Sequence, residues 1–95
     1  MRRVLQHDPS DPHSLSHNQI LSLYLDHSGV LWIGTQGGGL NSLNLNNFDG
    51  SDTETFNFNH YQEQDGLAND TVLEIIEYRD YLWIGTANGL SSFNL

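Results

Sequence analysis

Two histidines and two glutamates are the residues whose spacing comes closest to that of a metal site or a catalytic carboxylate pair. His13 and His17 are four residues apart, the spacing with which a helix presents two ligands to one metal ion. Pro12 and its polar neighbours disfavour that helix, so we predict no metal site there. Glu74 and Glu77 lie on one predicted strand, where an odd separation directs them to opposite faces. Two carboxylates acting on one substrate must converge, and this pair therefore does not predict an enzyme.

Other catalytic or metal-binding patterns are weaker still. The acidic stretch 49–54 resembles a calcium loop only faintly, because it lacks the alternating ligands, central glycine and distant glutamate of an EF-hand. The chain has no cysteine and no Gly-x-Ser-x-Gly elbow for a nucleophile. We therefore predict a non-catalytic protein with no metal and no cofactor.

The charge balance excludes some classes of partner. Twelve acidic residues against three basic ones give a net charge of −9. Nucleic acids bind clustered Lys and Arg, so we predict no nucleic-acid partner, and anionic membrane surfaces are disfavoured for the same reason. No apolar run approaches the roughly 18 residues that a membrane span requires.

A duplicated segment organises the chain. Residues 31–35 and 82–86 are both LWIGT, 51 positions apart. An internal repeat predicts the architecture of a chain and has to be identified before single residues are interpreted. This repeat indicates two copies of one structural unit. The flanking segments that also correspond are 15–20 with 67–72, and 39–45 with 89–95.

Strand patterns dominate both copies, and helix patterns are nearly absent. Short apolar or alternating segments are separated by polar turns, such as Asp26–Gly29 and Arg79–Asp80. The predicted strands are Arg3–His7, Ile20–Leu25, Val30–Ile33, Leu40–Leu45, Thr55–Tyr61, Thr71–Glu77, Tyr81–Thr86 and Leu90–Asn94.

The apolar runs are too continuous for sheets with one wet face, so each sheet must stack on others. This pattern predicts an all-β fold of two four-stranded antiparallel β-propeller blades. Residues 1–95 then form a first blade at about 18–61 and a second blade at about 70–95, which the strand at 3–7 completes. Because rings need about four to eight blades, two make only a partial propeller.

The chain resembles the two-component regulator propeller repeat. In the first copy the resemblance lies in Asn18, Asp26, the LWIGT segment and Gly39-Leu40. It departs where an acidic pair usually ends the first strand, since Leu25-Asp26 keeps one acid. The second copy lacks the turn glycine at Arg79-Asp80. It otherwise matches through Asp65-Gly66-Leu67, Asn69-Asp70, Val72, Leu82–Thr86, Asn88-Gly89-Leu90 and Phe93.

The resemblance implies a location and a role. Such repeats form extracytoplasmic propellers of bacterial membrane sensors, followed by a membrane span and a histidine kinase or diguanylate cyclase. It therefore implies a periplasmic, ligand-sensing segment of a membrane-anchored parent protein, with carbohydrate ligands in some members. Ligand identity and output domain stay open.

Loop side chains at one end of the blades are the candidates for ligand binding. Amide, imidazole and carboxylate groups suit hydroxyl-rich ligands, whereas the same groups also cap turns by bonding nearby backbone amides. Both interpretations stay open at this point. The candidate residues are His17, Asn18, Gln36, Asn69, Asp70 and Asn88.

The LWIGT segments are predicted to be structural. Their tryptophans supply apolar area for packing between blades, and their glycines allow close approach. We also expect self-association or neighbouring blades of a larger propeller, since faces carrying Leu31, Ile33, Leu82 and Ile84 would be large apolar patches on a lone monomer. The predicted core comprises Trp32, Ile33, Gly34, Trp83, Ile84 and Gly85.

Three functions follow from these features. The leading hypothesis is ligand sensing coupled to transmembrane signalling. The alternative is a structural or protein-interaction scaffold without a small-molecule ligand. A polysaccharide-active propeller is the third hypothesis.

Overall fold

Seven strands in the described part of the chain form two antiparallel sheets. The computed structural model describes residues 4–46, 48 and 56–95. The first sheet, which is the first blade, contains four strands in chain order, and the second blade contains three. The strands are β1 (Ile20–Leu25), β2 (Val30–Thr35), β3 (Leu40–Asn44), β4 (Asn59–Tyr61), β5 (Val72–Tyr78), β6 (Tyr81–Thr86) and β7 (Gly89–Asn94).

The two blades share one strand register. Tyr24 pairs with Trp32 in the first blade, as Ile76 pairs with Trp83 in the second. The first strand of each blade also has an irregularity at the same place, before Ser22 and before Glu74. The prediction of an all-β fold built from two repeated blades of a partial propeller is thereby confirmed.

The threonine that ends each LWIGT segment closes the next hairpin. Thr35 Oγ1 donates to the carbonyl oxygen of Gly39 at 2.8 Å, and Thr86 Oγ1 donates to that of Gly89 at 2.8 Å. Both glycines have positive φ, 81° and 111°, which a side chain would strain. The repeat therefore specifies its own turn as well as a strand.

The main core lies between the blades. The first blade contributes the buried Trp32 and Leu40, whose side chains belong to one apolar cluster with the second blade. Burial of such side chains stabilises the fold by roughly 1.5–3 kcal/mol each. The buried residues that the second blade and its leading loop contribute are Leu67, Val72, Ile75, Leu82 and Ile84.

A smaller core lies on the opposite side of the first blade. Leu15, Ile33, Leu43 and Phe58 are buried there, under the chain that leads into the blade and the chain that enters β4. The N–H of Phe58 donates to the carbonyl of His13 at 2.8 Å, which fixes those two segments together. Among the described residues, loops and no second sheet cover part of this side.

Among the described residues, the second blade contains three strands instead of the predicted four. Residues 4–7 form no strand, and β7 pairs only with β6 among the described residues. Residue 3 lies outside the described residues, and the completion of this blade by the segment 3–7 stays a prediction. Within one chain His7 lies against the first blade, because it is hydrogen-bonded to Asn18 and Leu15.

Other predicted positions also differ. Strand β4 is shorter than the predicted Thr55–Tyr61, of which residue 55 lies outside the described residues. Leu82 and Ile84 are fully buried between the blades, so they form no exposed patch. Trp83 and Gly85 are only half-buried, because no sheet covers that face of the second blade.

Candidate functional site

The six predicted loop residues lie at the same end of the two blades. They precede the first strand of each blade or occupy its second hairpin, and antiparallel pairing brings those positions together. Backbone bonds join the loops: the N–H of Gln36 donates to the carbonyl of Gln19 at 3.1 Å, and that of Gly39 donates to the carbonyl of Asp70 at 2.7 Å. Their part in binding stays a prediction.

Four of these six side chains are occupied by backbone amides. Each accepts a hydrogen bond from a nearby N–H, which is how polar side chains stabilise turns. This pattern favours the structural interpretation for these four. The acceptors and their donors are His17 Nδ1 from Gln19, Asn18 Oδ1 from His7, Asn69 Oδ1 from Thr71, and Asp70 Oδ1 from Glu63.

Gln36 and Asn88 differ from the other four. Both are exposed at hairpin tips, and no described residue hydrogen-bonds their side-chain amides. They are therefore the members of the predicted set whose side chains are available to a ligand.

A cleft between the blades is a second candidate site, which the sequence did not predict. Its volume is about 470 Å³, within the usual range for small-molecule sites. Aromatic side chains form its apolar wall: the Tyr61 ring centroid lies 5.7 Å from that of Trp32 and 5.8 Å from that of Phe93. Asp26 and Asp65 add carboxylates to its lining.

Asp26 supports the cleft rather than opening into it. Its side chain is buried and accepts a hydrogen bond from Trp32 Nε1 at 2.8 Å, which fixes the indole ring. Its other oxygen accepts the N–H groups of Ser28 and Val30 and the Ser28 hydroxyl. Burial would raise the pKa of this carboxyl, but the hydrogen bonds from Trp32, Ser28 and Val30 outweigh it, and the pKa is lowered.

Tyr61 and Asp65 leave polar groups for a ligand. No described residue hydrogen-bonds the Tyr61 hydroxyl, although the ring lines the cleft. Asp65 is exposed and accepts the Gln62 N–H through Oδ2 at 2.9 Å, which leaves Oδ1 without a partner among the described residues. Aromatic surface beside such acceptors and donors suits a neutral sugar.

A polar contact joins the blades near this cleft. Glu77 of the second blade contacts His27 Nδ1 and accepts the His27 backbone N–H at 3.1 Å. The Tyr24 hydroxyl donates to the same carboxylate at 3.4 Å. The hydrogen bond and charge of Glu77 raise the pKa of His27, and burial followed by the Glu77 charge raises the pKa of Tyr24.

The His27–Glu77 contact predicts a pH-dependent stability. Because the pKa of His27 is raised on folding, the contact stabilises the fold below the ordinary histidine pKa and is lost as the pH rises through the folded value. His27→Asn should therefore lower the thermal midpoint by a few degrees at most near pH 6, and hardly at all near pH 9. His27 is 59% exposed, so added salt should reduce the effect.

Glu77→Gln is the matched control for this contact. It keeps an acceptor for the His27 N–H but removes the charge, so its thermal midpoint should show the same pH dependence as that of His27→Asn. Equal losses near pH 6 and pH 9 for both variants would contradict the ionic contribution.

Comparison with known protein families adds an independent observation. Residues 14–37 match the family model of the two component regulator propeller. The match confirms the resemblance for the first repeat, from the loop at Asn18 through Asp26 to the LWIGT segment. No curated protein and no solved structure matches the chain.

The propeller repeat match clarifies which features belong to the repeat. The matched residues include Asp26 and Trp32, so the carboxylate–indole bond lies inside the two component regulator propeller pattern. Tyr61, Asp65 and Phe93 lie outside the matched residues 14–37.

Two further properties concern metals and membranes. No group of three or more His, Asp or Glu side chains that could hold a metal occurs among residues 4–46, 48 and 56–95. The weak calcium-loop pattern at 49–54 lies outside those residues. The same described part of the chain contains no helix with the length and apolarity to cross a membrane.

Sequence reasoning missed the cleft because its lining converges from distant segments. Tyr61 belongs to the last strand of the first blade, Asp65 to the linker and Phe93 to the last strand of the second blade. One available signal was the Asp65-Gly66-Leu67 motif, which marks the linker between repeats. The sequence pattern around Asp26 and Trp32 also did not predict the hydrogen bond between their side chains.

Proposed function

We propose that this chain is a non-catalytic, extracytoplasmic ligand-sensing segment of a bacterial transmembrane signalling receptor, and that it binds a neutral carbohydrate. The match to the two component regulator propeller supports the signalling role. The cleft between the blades is the single observation that supports carbohydrate binding.

The chemistry of the cleft selects among ligands. The partly exposed rings of Tyr61 and Phe93 offer apolar surface for the C–H groups of a sugar, while Trp32 is only 8% exposed and packs behind them. The Tyr61 hydroxyl and Asp65 Oδ1, which have no partner in the part of the chain that the structure describes, can bond sugar hydroxyls. The exposed Asp65 carboxylate and a net charge of −9 disfavour acidic sugars.

A binding site between blades also suits a sensor. A ligand that contacts Tyr61 of the first blade and Phe93 of the second binds only one relative position of the blades. By linkage, such a ligand stabilises that arrangement by the amount of its differential affinity. Ligand binding would thus make the pair of blades more rigid. A receptor can transmit such a change to its output domain.

Ligand-observed NMR with a panel of neutral and acidic oligosaccharides tests the proposal. We expect saturable binding of a neutral member and about a tenfold loss of affinity in Tyr61→Phe, which removes one hydroxyl and keeps the packing ring. Asp65→Asn keeps the Gln62 N–H bonded and should reduce binding less.

The double variant Gln36→Ala with Asn88→Ala provides the comparison. Both side chains are exposed, so this variant should fold normally. If it loses binding while Tyr61→Phe does not, the ligand binds at the loop end instead of the cleft. If no member of the panel binds, the sensing proposal is wrong.

A scaffold role is the second candidate function. It is favoured by the four loop side chains that are bonded to backbone amides, and by the apolar free face on each blade. A chain that assembles with other blades and binds no oligosaccharide would support this alternative.

A further inference from the structure

Each blade has an apolar face that no other sheet covers among the described residues, although loops bury Ile33 and Leu43 on that face of the first blade. The free face of the first blade contains a groove of about 290 Å³, lined only by apolar residues that include Leu5, Leu23 and Leu31. The free face of the second blade contains a groove of about 260 Å³ that includes Trp83 and Leu90. Monomeric proteins rarely leave such faces open, so each calls for an occupant.

The groove of the first blade is equivalent, by the repeat, to the face of the second blade that packs against the first blade. Strand register relates the two blades residue by residue, since Leu23 pairs with Ile33 as Ile75 pairs with Ile84. The second-blade residues are buried against the first blade. The groove residues Ile20, Leu23, Leu31 and Ile33 correspond to the buried Val72, Ile75, Leu82 and Ile84.

The groove of the second blade corresponds to the other half of that same contact. Trp83 and Leu90 occupy the positions of Trp32 and Leu40, which pack against the second blade. The two free faces are therefore the two complementary halves of the existing interface between blades. The free face of the second blade in one copy can therefore pack against the free face of the first blade in another copy.

The segment before the first blade has the same placement as the strand before the second. The N–H of His7 donates to Asn18 Oδ1 at 2.6 Å, just as the N–H of Glu63 donates to Asp70 Oδ1 at 2.9 Å. Counting back from these bonds, Leu5 corresponds to Tyr61. Leu5 lines the groove of the first blade, as Tyr61 packs against Phe93 of the second.

The edge of the second blade offers a partner for this segment. Strand β7 pairs only with β6 among the described residues, whereas its counterpart β3 also pairs with β4. In that pairing Leu40 lies opposite Tyr61, and Asn41 lies opposite His60. Open strand edges bind added strands through their unpaired backbone groups.

We infer that a second copy of this chain docks head to tail, with its first blade on the second blade of the first copy. Its N-terminal segment then becomes the fourth strand of that second blade, with Leu5 opposite Leu90 and Val4 opposite Ser91. The interface is heterologous, so it closes into a ring when the rotation between blades allows. Rings of four to eight blades correspond to two to four copies. The inference does not depend on the proposed carbohydrate.

Two single substitutions test the two faces. Leu90 is 66% exposed and Leu23 is 62% exposed, so Leu90→Arg and Leu23→Arg leave the core of the single chain intact. Each places a charge in the proposed interface and should weaken association at least about 30-fold, the effect of a 2 kcal/mol hot spot. Gln64→Arg adds the same charge on the exposed linker and should leave association unchanged.

Native mass spectrometry and light scattering of the full chain measure the result. We expect the unaltered chain and Gln64→Arg to form a discrete species of two to four copies of 10.7 kDa. The two arginine variants should each remain monomeric at the concentrations at which the unaltered chain assembles. A monomeric unaltered chain at every concentration, or a Leu90→Arg variant that assembles as strongly as the unaltered chain, would overturn the inference.

Mixing the two arginine variants tests the direction of docking. The Leu90→Arg chain keeps an intact first-blade face, and the Leu23→Arg chain keeps an intact second-blade face. A head-to-tail interface therefore predicts a one-to-one heterodimer that grows no further. An interface between identical faces predicts that one variant still pairs with itself, and that result would overturn the inference.

Glu74 supplies a variant that should strengthen docking. It lies in the second-blade groove at the position of Ser22, which is part-buried between the blades of one chain. Covering a carboxylate costs free energy, so Glu74→Ser should tighten association by about tenfold or more. Weaker association in this variant would contradict the proposed face.

Discussion

Asp26→Ala is expected to destabilise the chain by about 3–5 kcal/mol, a large part of the stability of a small domain. Asp26 is 5% exposed, and its carboxylate accepts four hydrogen bonds. The substitution leaves Trp32 Nε1 buried without an acceptor and frees two backbone N–H groups of the turn. Urea denaturation followed by tryptophan fluorescence measures the loss.

Tyr78→Ala is the matched control. Tyr78 occupies the position of Asp26 in the second blade but is 60% exposed, so its loss should cost less than about 1 kcal/mol. If both variants lose equal stability, the carboxylate–indole bond does not hold the first blade together.

The same substitution predicts a pH dependence with a definite sign. Hydrogen bonds lower the pKa of Asp26 in the folded state below its ordinary value of 3.8, despite burial. Its stabilising contribution is therefore present above that ordinary value and is lost as the pH falls through the lowered one. The stability difference between the unaltered chain and Asp26→Ala should be constant near neutral pH and should shrink below about pH 4.

Gly34→Ala is expected to destabilise the chain by about 3 kcal/mol, at the upper end of overpacking effects. A Cβ at this position would lie 2.6 Å from Val72 Cγ1 and 2.9 Å from the Val72 carbonyl oxygen, and would also contact Ser22 Oγ. The Ser22 hydroxyl can rotate, but the Val72 backbone belongs to the other blade and must shift. We therefore expect the substitution to loosen the packing between the blades.

Gly85→Ala is the control, in the identical pentapeptide. A Cβ there would meet only Glu74, at 3.7 Å, an ordinary contact. Because alanine also restricts the unfolded chain, this variant should be neutral or more stable by up to about 1 kcal/mol. Denaturation at a concentration where the chain is monomeric compares the two variants, and equal effects would contradict the assigned interface.

In the head-to-tail assembly the two glycines become equivalent again. Gly85 then faces the first blade of the next copy, as Gly34 faces Val72 within one chain. Gly85→Ala should therefore weaken association without weakening the monomer. A loss of association without a loss of monomer stability distinguishes a docking face from a face that is only in contact with solvent.

The repeat determined most of the fold from sequence. Identical pentapeptides gave strands β2 and β6, and the residues around them specified the paired hairpins. The predicted turn at Arg79–Asp80 forms with positive φ at both residues, 51° and 67°, although it lacks glycine. These features are local, since they depend on side-chain period and turn chemistry within a few residues.

The candidate site was predicted only in part. The six loop residues share one end of the blades because antiparallel register follows from the strand order. Their hydrogen-bonding role was not decidable, because the partner of Asn18 is His7 and that of Asp70 is Glu63, in loops whose path the sequence does not specify. The inter-blade cleft was missed for the same reason.

The sequence by itself determined that this protein consists of two equivalent β-blades, because hydrophobic period, turn residues and an internal repeat act locally. Only the tertiary structure decided that Trp32 is buried while Trp83 lies on a free face, and that Gly34 is confined while Gly85 is not. The two copies have the same residues there. They differ because the first blade has a neighbour on that face and the second has none, and packing against a neighbour is a property that no local pattern records.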